Sequence, residues 1–217
     1  MRAMFHRVAP RYDFITRVFS YGMDMPWKRL GVARAPLPPA ALILDLACGT
    51  GDFSHLSRLR DASARPIAVD LTERMLQLAR PRVSTVVCAD AGSLPFPSGT
   101  FDATFVGYGW RNFSDLDLAL REISRVLKPG GILVTLDFFL PSNPILRRAY
   151  LAYLYAQGTF WGTILHFNPR TYTYIPDSLR SFVTMHEFGI RAATAGLHTL
   201  QAKTFILGGI GLHWSRK

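Results

Sequence analysis

The residues best suited to chemistry lie in the segment 43–52, which reads ILDLACGTGD. An apolar run contains a carboxylate, Asp45, and leads into a turn with Gly49 and Gly51. A second carboxylate, Asp70, ends another apolar run 19 residues after Gly51. A glycine turn lets a ligand approach the backbone, and an acid at the end of the next strand can bind a ribose diol. The pattern therefore predicts a nucleoside site.

Further residues favour a nucleoside without a phosphate tail. The third glycine of the dinucleotide fingerprint, which lets the helix pack close beneath a pyrophosphate, is replaced by Ser54. Asp90 and Ala91 follow a third apolar run, where a carboxylate and a backbone N–H could hold an adenine edge. These features predict S-adenosylmethionine more than NAD. Asp45 has an alternative role, which is to brace the loop through backbone N–H groups.

Methyl transfer mainly requires a methyl group placed in line with a nucleophile, at about 3–3.5 Å. The sequence predicts no metal site, because the histidines and cysteines are scattered without the spacing of metal ligands.

Strand-like and helix-like patterns alternate along the chain and predict the elements that position these residues. The clearest helix signal is an apolar stripe along 116–127, and further helices are expected within 1–35, at 52–59, at 73–80 and around 177–188. Apolar runs predict strands over 41–46, 66–70, 83–88, 101–106, 132–138, 202–207 and 211–214. This alternation predicts an open, doubly wound α/β sheet with ligands at the carboxyl ends of its strands.

Composition limits the class of protein. With 217 residues, 49% of them apolar, the chain can form one core, so a single domain over 1–217 is expected. The net charge of +10 predicts an anionic partner or simply a basic, soluble surface. No run of five basic residues occurs, so nucleic acid is not expected as a partner. Two cysteines in apolar contexts and no signal-peptide pattern favour a cytoplasmic location.

An aromatic segment from Ala149 to Leu165 has 17 residues without a formal charge and follows Arg147 and Arg148. A membrane-spanning helix needs roughly 20 apolar residues. We therefore expect a covering helix or an interfacial contact rather than a span. The sequence leaves open whether the protein forms a homodimer.

Motifs along nearly the whole chain resemble the C-methyltransferases of ubiquinone and menaquinone biosynthesis, a class I S-adenosylmethionine-dependent family. The opening motif, the Arg-Asn pair after the fourth strand and the Tyr-x-Pro-x-Ser motif are the most selective. The matching segments are MFHRVAPRYD (4–13), LDLACGTGD (44–52), LPF (94–96), GWRN (109–112), LKPGG (127–131), YIPDS (174–178) and GGI…LH…K (208–217).

The resemblance implies a seven-stranded, mostly parallel sheet with an antiparallel C-terminal strand, a helical cap at 1–35 and an aromatic lid at 145–175. It implies S-adenosylmethionine as the cofactor and a ring carbon of a lipophilic polyprenyl quinol as the methyl acceptor. The implied cofactor residues are Asp45, Gly49, Thr50, Gly51, Asp70, Asp90, Ala91 and Gly107. The implied catalytic residues on the acceptor side are Tyr12, Arg111 and Asn112.

Arg111 is expected to stabilise a phenolate, since a guanidinium is too weak a base to accept the proton. Asn112 would hold a quinol oxygen. The structural alternative for Arg111 is an ion pair with Asp115 or Asp117. An isoprenoid tail on the acceptor would give the aromatic segment and nearby cations a role in peripheral contact with the inner face of the membrane.

Three residues depart from the family pattern. His6 stands where the family usually has Asp, Gly107 replaces a commoner Ser or Ala, and Trp110 replaces a smaller aliphatic residue. The indole is expected to reshape the acceptor pocket, so a second hypothesis is a methyltransferase of the same fold with another phenolic or small-molecule acceptor. Two weaker alternatives are a nucleic-acid methyltransferase and a non-catalytic cofactor-binding subunit.

Overall fold

The structure is a computed structural model that describes residues 12–217, without the side chains of Tyr12, Asp13 and His166. Eight helices and seven strands are assigned within this range. The helices are α1 Tyr12–Phe19, α2 Asp24–Arg34, α3 Asp52–Arg60, α4 Glu73–Ala79, α5 Leu116–Val126, α6 Pro144–His166, α7 Tyr174–Arg180 and α8 Met185–Thr194. The strands are β1 Leu42–Leu46, β2 Arg65–Asp70, β3 Thr85–Cys88, β4 Phe101–Gly107, β5 Leu127–Phe138, β6 His198–Phe205 and β7 Ile210–Arg216.

The strands form one sheet in the order β3-β2-β1-β4-β5-β7-β6. The pairs from β3 to β5 are parallel, whereas β7 runs antiparallel to both β5 and β6. The order reverses between β1 and β4, and the crevice beyond their carboxyl ends is where open α/β sheets bind ligands. The predicted doubly wound, mostly parallel seven-stranded sheet is confirmed.

Helices cover both faces of the sheet, because the central strands are apolar on both sides. Ile43 and Phe105 point to the face covered by helices that include α1, α2, α3, α6 and α7. Leu44 and Val106 point to the opposite face, where α5 and α8 pack. The stripe predicted along 116–127 forms α5 and is fully buried at Leu120.

One predicted helix differs from the structure. The single helix expected around 177–188 is wrong: α7 ends at Arg180 and α8 begins at Met185. Thr184 starts α8 with a capping box, in which its hydroxyl accepts from the Glu187 N–H and the Glu187 carboxylate accepts from the Thr184 N–H. The aromatic segment forms one helix of 23 residues, α6, whose N-cap Asn143 accepts from two backbone N–H groups. Among residues 12–217, no helix combines the length and hydrophobicity needed to cross a membrane.

Candidate functional site

The glycine turn between β1 and α3 contains three residues in the left-handed backbone region. Ala47 has a φ of 52°, Gly49 of 54° and Gly51 of 82°. Gly51 precedes the first residue of α3, and a Cβ there would lie 3.1 Å from Val83 Cγ2. Glycine fits here because it lacks a Cβ, whereas Ala47 adopts the conformation at an energetic cost. Glycine at position 51 therefore lets the turn pack closely against Val83 at the switch point of the sheet.

Asp70 ends β2 and ties two loops together. Its Oδ2 accepts a hydrogen bond from the Gly49 N–H at 3.1 Å, and its Oδ1 accepts from the Thr72 N–H at 2.8 Å. Burial raises the pKa of this carboxyl above its ordinary value, although both N–H groups act in the opposite direction. Each carboxylate oxygen can accept more than one hydrogen bond, so Asp70 keeps capacity for a ligand.

A cavity of about 330 Å³ lies beyond the carboxyl ends of β1, β2 and β4. It brings together five of the predicted site residues, which are Gly49, Asp70, Asp90, Ala91 and Asn112. Of these, Asp90 is exposed, and its Oδ1 accepts from the Gly92 N–H at 2.8 Å. The remaining lining is largely apolar and aromatic and includes Leu71, Met75, Tyr108 and Phe113. A few polar groups in an apolar cleft are typical of a small-molecule site.

Asp45 lies beside this cavity but does not line it. The carboxylate is buried, and its Oδ2 accepts from the Ser54 backbone N–H at 2.8 Å and from the Ser54 hydroxyl at 2.6 Å. Burial raises the pKa of Asp45 to about 7, although the bonds from Ser54 lower it. These bonds fit the bracing role for Asp45. Ser54, which replaces the third glycine of the dinucleotide fingerprint, therefore has a structural role.

Thr50, Gly51 and Gly107 also lie outside the cavity lining. The Thr50 carbonyl accepts a hydrogen bond from Arg82 at 3.4 Å. A Cβ on Gly107 would come within 2.8 Å of Phe53 Cε2, so the Phe53 ring occupies the space that a Ser or Ala side chain would need. The departure from the family pattern at Gly107 is therefore matched to its aromatic neighbour.

A cluster of charges, which we call the loop clamp, joins the glycine turn to α2. Asp52, the first residue of α3, accepts from Lys28 Nζ at 2.7 Å and from Arg82 Nη1 at 2.5 Å. Asp24 lies 3.7 Å from the same Lys28 nitrogen. Burial by itself raises the pKa of Asp52, but the two cations outweigh it and hold that pKa below its ordinary value. The clamp therefore holds a charged carboxylate in the first turn of α3, where it also suits the helix dipole.

Asn112 lines the cavity just beyond β4. It closes a short 3₁₀ turn, Trp110–Asn112, after β4. Its Nδ2 donates to the Tyr108 carbonyl at 3.3 Å. Its Oδ1 is buried and has no hydrogen-bond partner within residues 12–217. A buried polar atom without a partner is costly, so this oxygen is suited to accept a hydrogen bond from a ligand.

Arg111 does not line the cavity. Its Nε donates to Asp137 Oδ1 at 2.9 Å, its Nη1 donates to the Ser178 hydroxyl at 3.0 Å, and its guanidinium stacks over Phe138. Burial lowers the pKa of Arg111, but the Asp137 charge more than offsets this and raises the pKa above its ordinary value. The guanidinium therefore stays charged. The alternative pairing with Asp115 or Asp117 is wrong.

Those two acids have other partners. Asp115 caps α5 by accepting from the Leu118 N–H, and Asp117 pairs with Arg191.

The indole of Trp110 does not line the cavity, so its expected effect on the acceptor pocket stays a prediction. The indole is 1% exposed and packs edge-on against Phe113 and Phe188 on the α5 and α8 side of the sheet. Its Nε1 donates to the Thr135 hydroxyl at 3.2 Å, and its backbone N–H donates to Asp137 Oδ2 at 2.9 Å. The indole therefore lies in the core on the α5 and α8 side of the sheet and reaches the cavity only through Phe113. The side chain of Tyr12 and the whole of His6 lie outside the described residues.

The whole chain matches one protein family. The sequence model of the ubiE/COQ5 methyltransferase family covers residues 1–217. The chain belongs to this family. Two similar proteins are a demethylmenaquinone methyltransferase from Thermus thermophilus and a ubiquinone/menaquinone biosynthesis C-methyltransferase UbiE from Hahella chejuensis. The first is 37% identical over 89% of this chain and 90% of its own length, and the second is 33% identical over 97% and 88%.

A solved structure from Thermotoga maritima, titled as an S-adenosylmethionine-dependent methyltransferase and possible histamine N-methyltransferase, shares the fold. It covers 100% of both chains with a TM-score of 0.69 at 20% identity. The predicted family, class I fold and methyltransferase activity are confirmed. This member of the ubiE/COQ5 family is an enzyme whose cavity lies where its fold binds ligands.

Asp137 is the functional residue that sequence reasoning missed. It is fully buried on β5, and its carboxylate accepts from Arg111, from the Trp110 N–H and from the Phe138 N–H at 2.7 Å. One acid thus organises the turn that carries Asn112. A signal was present, because an acid inside the apolar run 132–138 must find a cation or several N–H donors when buried. In the described part of the chain, no three His, Cys, Asp or Glu side chains group as metal ligands would.

Proposed function

We propose that this enzyme uses S-adenosylmethionine to methylate a ring carbon of a polyprenylated benzoquinol or naphthoquinol. The observation that carries the proposal is the cavity at the β1–β4 switch point. On one side it has the Asp70 carboxylate and the glycine turn, and on the other it has the buried Asn112 Oδ1 between aromatic residues. The names of the related enzymes support the choice of acceptor class.

The residues of the cavity fit S-adenosylmethionine. Asp70 has free acceptor capacity for a ribose diol, and Asp90 and Ala91 border the same space. Leu71, Met75 and Phe113 supply an apolar lining suited to a purine. When bound, S-adenosylmethionine supplies an electrophilic methyl group on its sulfonium. Asp45, Thr50 and Gly51 would act indirectly, by shaping the turn that contains Gly49.

Asn112 is suited to orient the acceptor ring. Its Oδ1 would accept the hydroxyl hydrogen of a quinol, which satisfies a buried oxygen that has no partner within residues 12–217. Tyr108 and Phe113 line the same cavity and offer flat apolar surfaces to the ring. The ring carbon becomes nucleophilic when the other quinol hydroxyl ionises, with its proton passing to water, because an acceptor such as Asn112 Oδ1 favours the neutral form of the hydroxyl that it binds. Once the methyl group is bonded to the ring carbon, the hydrogen on that carbon leaves as a proton to water and the ring becomes aromatic again. Tyr12 stays a predicted acceptor-side residue.

The role that we infer for Arg111 is to position the neighbouring turn rather than to supply charge to the acceptor. Its charge lies 2.9 Å from the Asp137 carboxylate, so the two charges largely cancel at any group farther away. A phenolate in the cavity would therefore feel the dipole of the pair rather than a full positive charge. We infer that Arg111 and Asp137 together hold the 110–112 turn, so that Asn112 faces the acceptor.

The test is transfer of labelled methyl from S-adenosylmethionine to two reduced acceptors, demethylmenaquinol and a polyprenyl benzoquinol. We expect methylation of at least one quinol, and Asn112→Ala should lower kcat/KM by about tenfold or more, because one hydrogen bond to the acceptor is lost. Asn143→Ser, which keeps a capping side chain on α6 far along the chain, should match the wild type.

Failure to methylate either quinol would overturn the quinol assignment. Methylation of another phenol in the same assay would then support the second hypothesis. Equal kcat/KM for Asn112→Ala and the wild type would remove Asn112 from the acceptor site.

A further inference from the structure

The loop between β3 and β4, residues 89–100, borders the cavity. Its residues 89–91 line the cavity directly. The start of the loop is shaped from within: the Gly92 N–H donates to Asp90 Oδ1 at 2.8 Å, and the Ser93 N–H donates to the Asp90 carbonyl at 3.1 Å. These bonds form the turn, so the position of the turn against the cavity depends also on contacts farther along the loop.

Two side chains of α5 hold the middle of this loop. Arg125 Nη1 donates to the Phe96 carbonyl at 2.7 Å, and Arg125 Nη2 donates to the Leu94 carbonyl at 3.0 Å. Glu122 Oε2 accepts from the Leu94 N–H at 2.9 Å. Three backbone groups of the loop are therefore bound by two side chains that lie 28 to 31 residues away in the sequence.

Glu122 and Arg125 also bind each other. Arg125 Nε donates to Glu122 Oε1 at 2.7 Å and Arg125 Nη2 donates to Glu122 Oε2 at 2.8 Å, so the planar guanidinium meets the carboxylate through two bonds. Arg125 holds the pKa of Glu122 below its ordinary value, so the carboxylate stays charged. A pair at i, i+3 on a helix surface usually contributes little to stability. The bonds to the loop are what distinguish this pair from an ordinary surface pair.

Packing attaches the loop to the same helix. A Cβ on Gly92 would lie 2.9 Å from Leu118 Cδ2, so glycine allows the loop to approach α5 closely. Leu94 is buried in the same core as Ala91. The loop is therefore held against α5 on both sides of the cavity-lining residues and of Leu94, and a change in the α5 side chains would shift residues 90–91.

The residues placed in this way suit the edge of an adenine. Adenine presents an amino donor at N6 beside an acceptor at N1, so the Asp90 carboxylate can accept from the amino group and a loop N–H can donate to N1. Hypoxanthine presents the opposite pattern, an acceptor at O6 beside an N1–H donor. A carboxylate repels that acceptor, so discrimination between the two purines depends on where Asp90 lies.

We propose that Glu122 and Arg125 are positioning residues of the cofactor site, which hold the β3–β4 loop so that Asp90 distinguishes adenine from other purines. The inference rests on the proposed function, because it takes S-adenosylmethionine to be the ligand of the cavity. Neither Glu122 nor Arg125 lines the cavity, so their effect on the cofactor passes through the loop.

The experiment compares two ligands by isothermal titration calorimetry, S-adenosylhomocysteine and S-inosylhomocysteine, which differ only at the purine edge. The wild type should bind the adenine ligand at least about tenfold more tightly, since hypoxanthine leaves polar groups mismatched. Arg125→Ala should raise the Kd for the adenine ligand about tenfold and change the Kd for the inosine ligand much less, because a charge-assisted hydrogen bond is lost only with adenine. Glu122→Ala should act in the same direction.

The matched control is Arg191→Ala, which removes the arginine that pairs with Asp117 on the same helix. It should leave both Kd values unchanged. Arg125→Lys keeps a cation and should recover part of the preference for adenine. In Arg125→Ala the KM for S-adenosylmethionine should rise, while kcat at saturating cofactor stays within about twofold of the wild type.

An equal loss of affinity for both ligands in the two alanine variants would overturn the proposal, because the pair would then only stabilise the fold. If the alanine variants do not fold, Arg125→Lys and Glu122→Gln replace them, and an unchanged preference in both variants overturns the proposal as well. Failure of the wild type to bind either ligand would overturn the proposed function together with this inference, whereas the other two results leave the proposed function intact.

Discussion

The two sides of the cavity are built in different ways. On the cofactor side, Asp70 is the last residue of β2, and Gly49 and Asp90 follow the ends of β1 and β3. The two carboxylates there accept from backbone N–H groups, of which the Gly49 N–H is 21 residues from Asp70. On the acceptor side, the 110–112 turn depends on side chains 26 and 67 residues away, Asp137 and Ser178. The carboxylates of the first side rely on backbone donors at the ends of strands, whereas the second side relies on distant side chains. Single substitutions should therefore affect binding on one side and folding on the other.

The largest effect is expected for Arg111→Ala. The change leaves the fully buried Asp137 with two backbone N–H donors and no cation, so the free energy of unfolding should fall by about 3–5 kcal/mol. Urea unfolding measures this loss. Arg191→Ala, which removes a pair with Asp117 on the surface, is the control and should cost at most about 1 kcal/mol.

Loss of activity in Arg111→Ala would therefore not by itself prove a role in catalysis. The double variant Arg111→Ala with Asp137→Asn removes the unpaired charge and should regain stability. If the single and double variants have equal free energies of unfolding, the unpaired Asp137 charge is not the cause of the loss.

Asp70→Asn should weaken cofactor binding, and it also gives up one of the two backbone N–H bonds of Asp70, because an amide has a single acceptor oxygen. Replacing the charged acceptor weakens hydrogen bonds worth about 1.5–3 kcal/mol, so the Kd for S-adenosylmethionine should rise about 10- to 100-fold. Isothermal titration calorimetry measures this change. Asp61→Asn is a matched control, because Asp61 also accepts from two backbone N–H groups but lies outside the cavity lining. An unchanged Kd for Asp70→Asn would place the ribose elsewhere.

Asp45 should make stability depend on pH. Its pKa is about 7 in the folded protein and about 3.9 in an unfolded chain, so between these values the folded state binds more protons. The free energy of unfolding should then fall as pH rises from about 4 to about 7, by up to about 1.4 kcal/mol per pH unit. Asp45→Asn keeps an acceptor for the Ser54 N–H and removes this slope. Urea unfolding at pH 5 and pH 8 measures the slope. If the free energy of unfolding changes by the same amount in both proteins, the expectation is wrong.

Trp110→Phe should have the smallest effect. It removes the indole N–H that bonds to Thr135, at a cost of about 1–2 kcal/mol, and leaves the cavity lining intact. Thermal unfolding should detect the loss, while KM for the quinol should stay unchanged. A changed KM would show that the indole shapes the acceptor site through Phe113 after all.

The two sides of the cavity also differ in how far the sequence could predict them. The sheet, the glycine turn and Asp70 were predictable because apolar runs and turn residues act over short stretches of chain. The ion pair between Arg111 and Asp137 was not, because the two residues meet only once β4 and β5 are paired. The direction of the Trp110 indole depends on Thr135 across the same strand pair. For Asp45 the sequence predicts two roles, and the hydrogen bonds from Ser54 favour the bracing role. Patterns along a chain do not determine which way a side chain turns.

The loop clamp has a consequence for how this protein can change over time. Asp52 shares its two oxygens between Lys28 of α2 and Arg82 beyond α4, and Lys28 also faces Asp24. Charges held in one network couple by about 0.5–3 kcal/mol, so the effect of replacing one depends on which others are present. Epistasis is therefore expected among these four positions. A substitution that is neutral in one relative could therefore be harmful here. Sequence changes at the glycine turn and in α2 should tend to occur together.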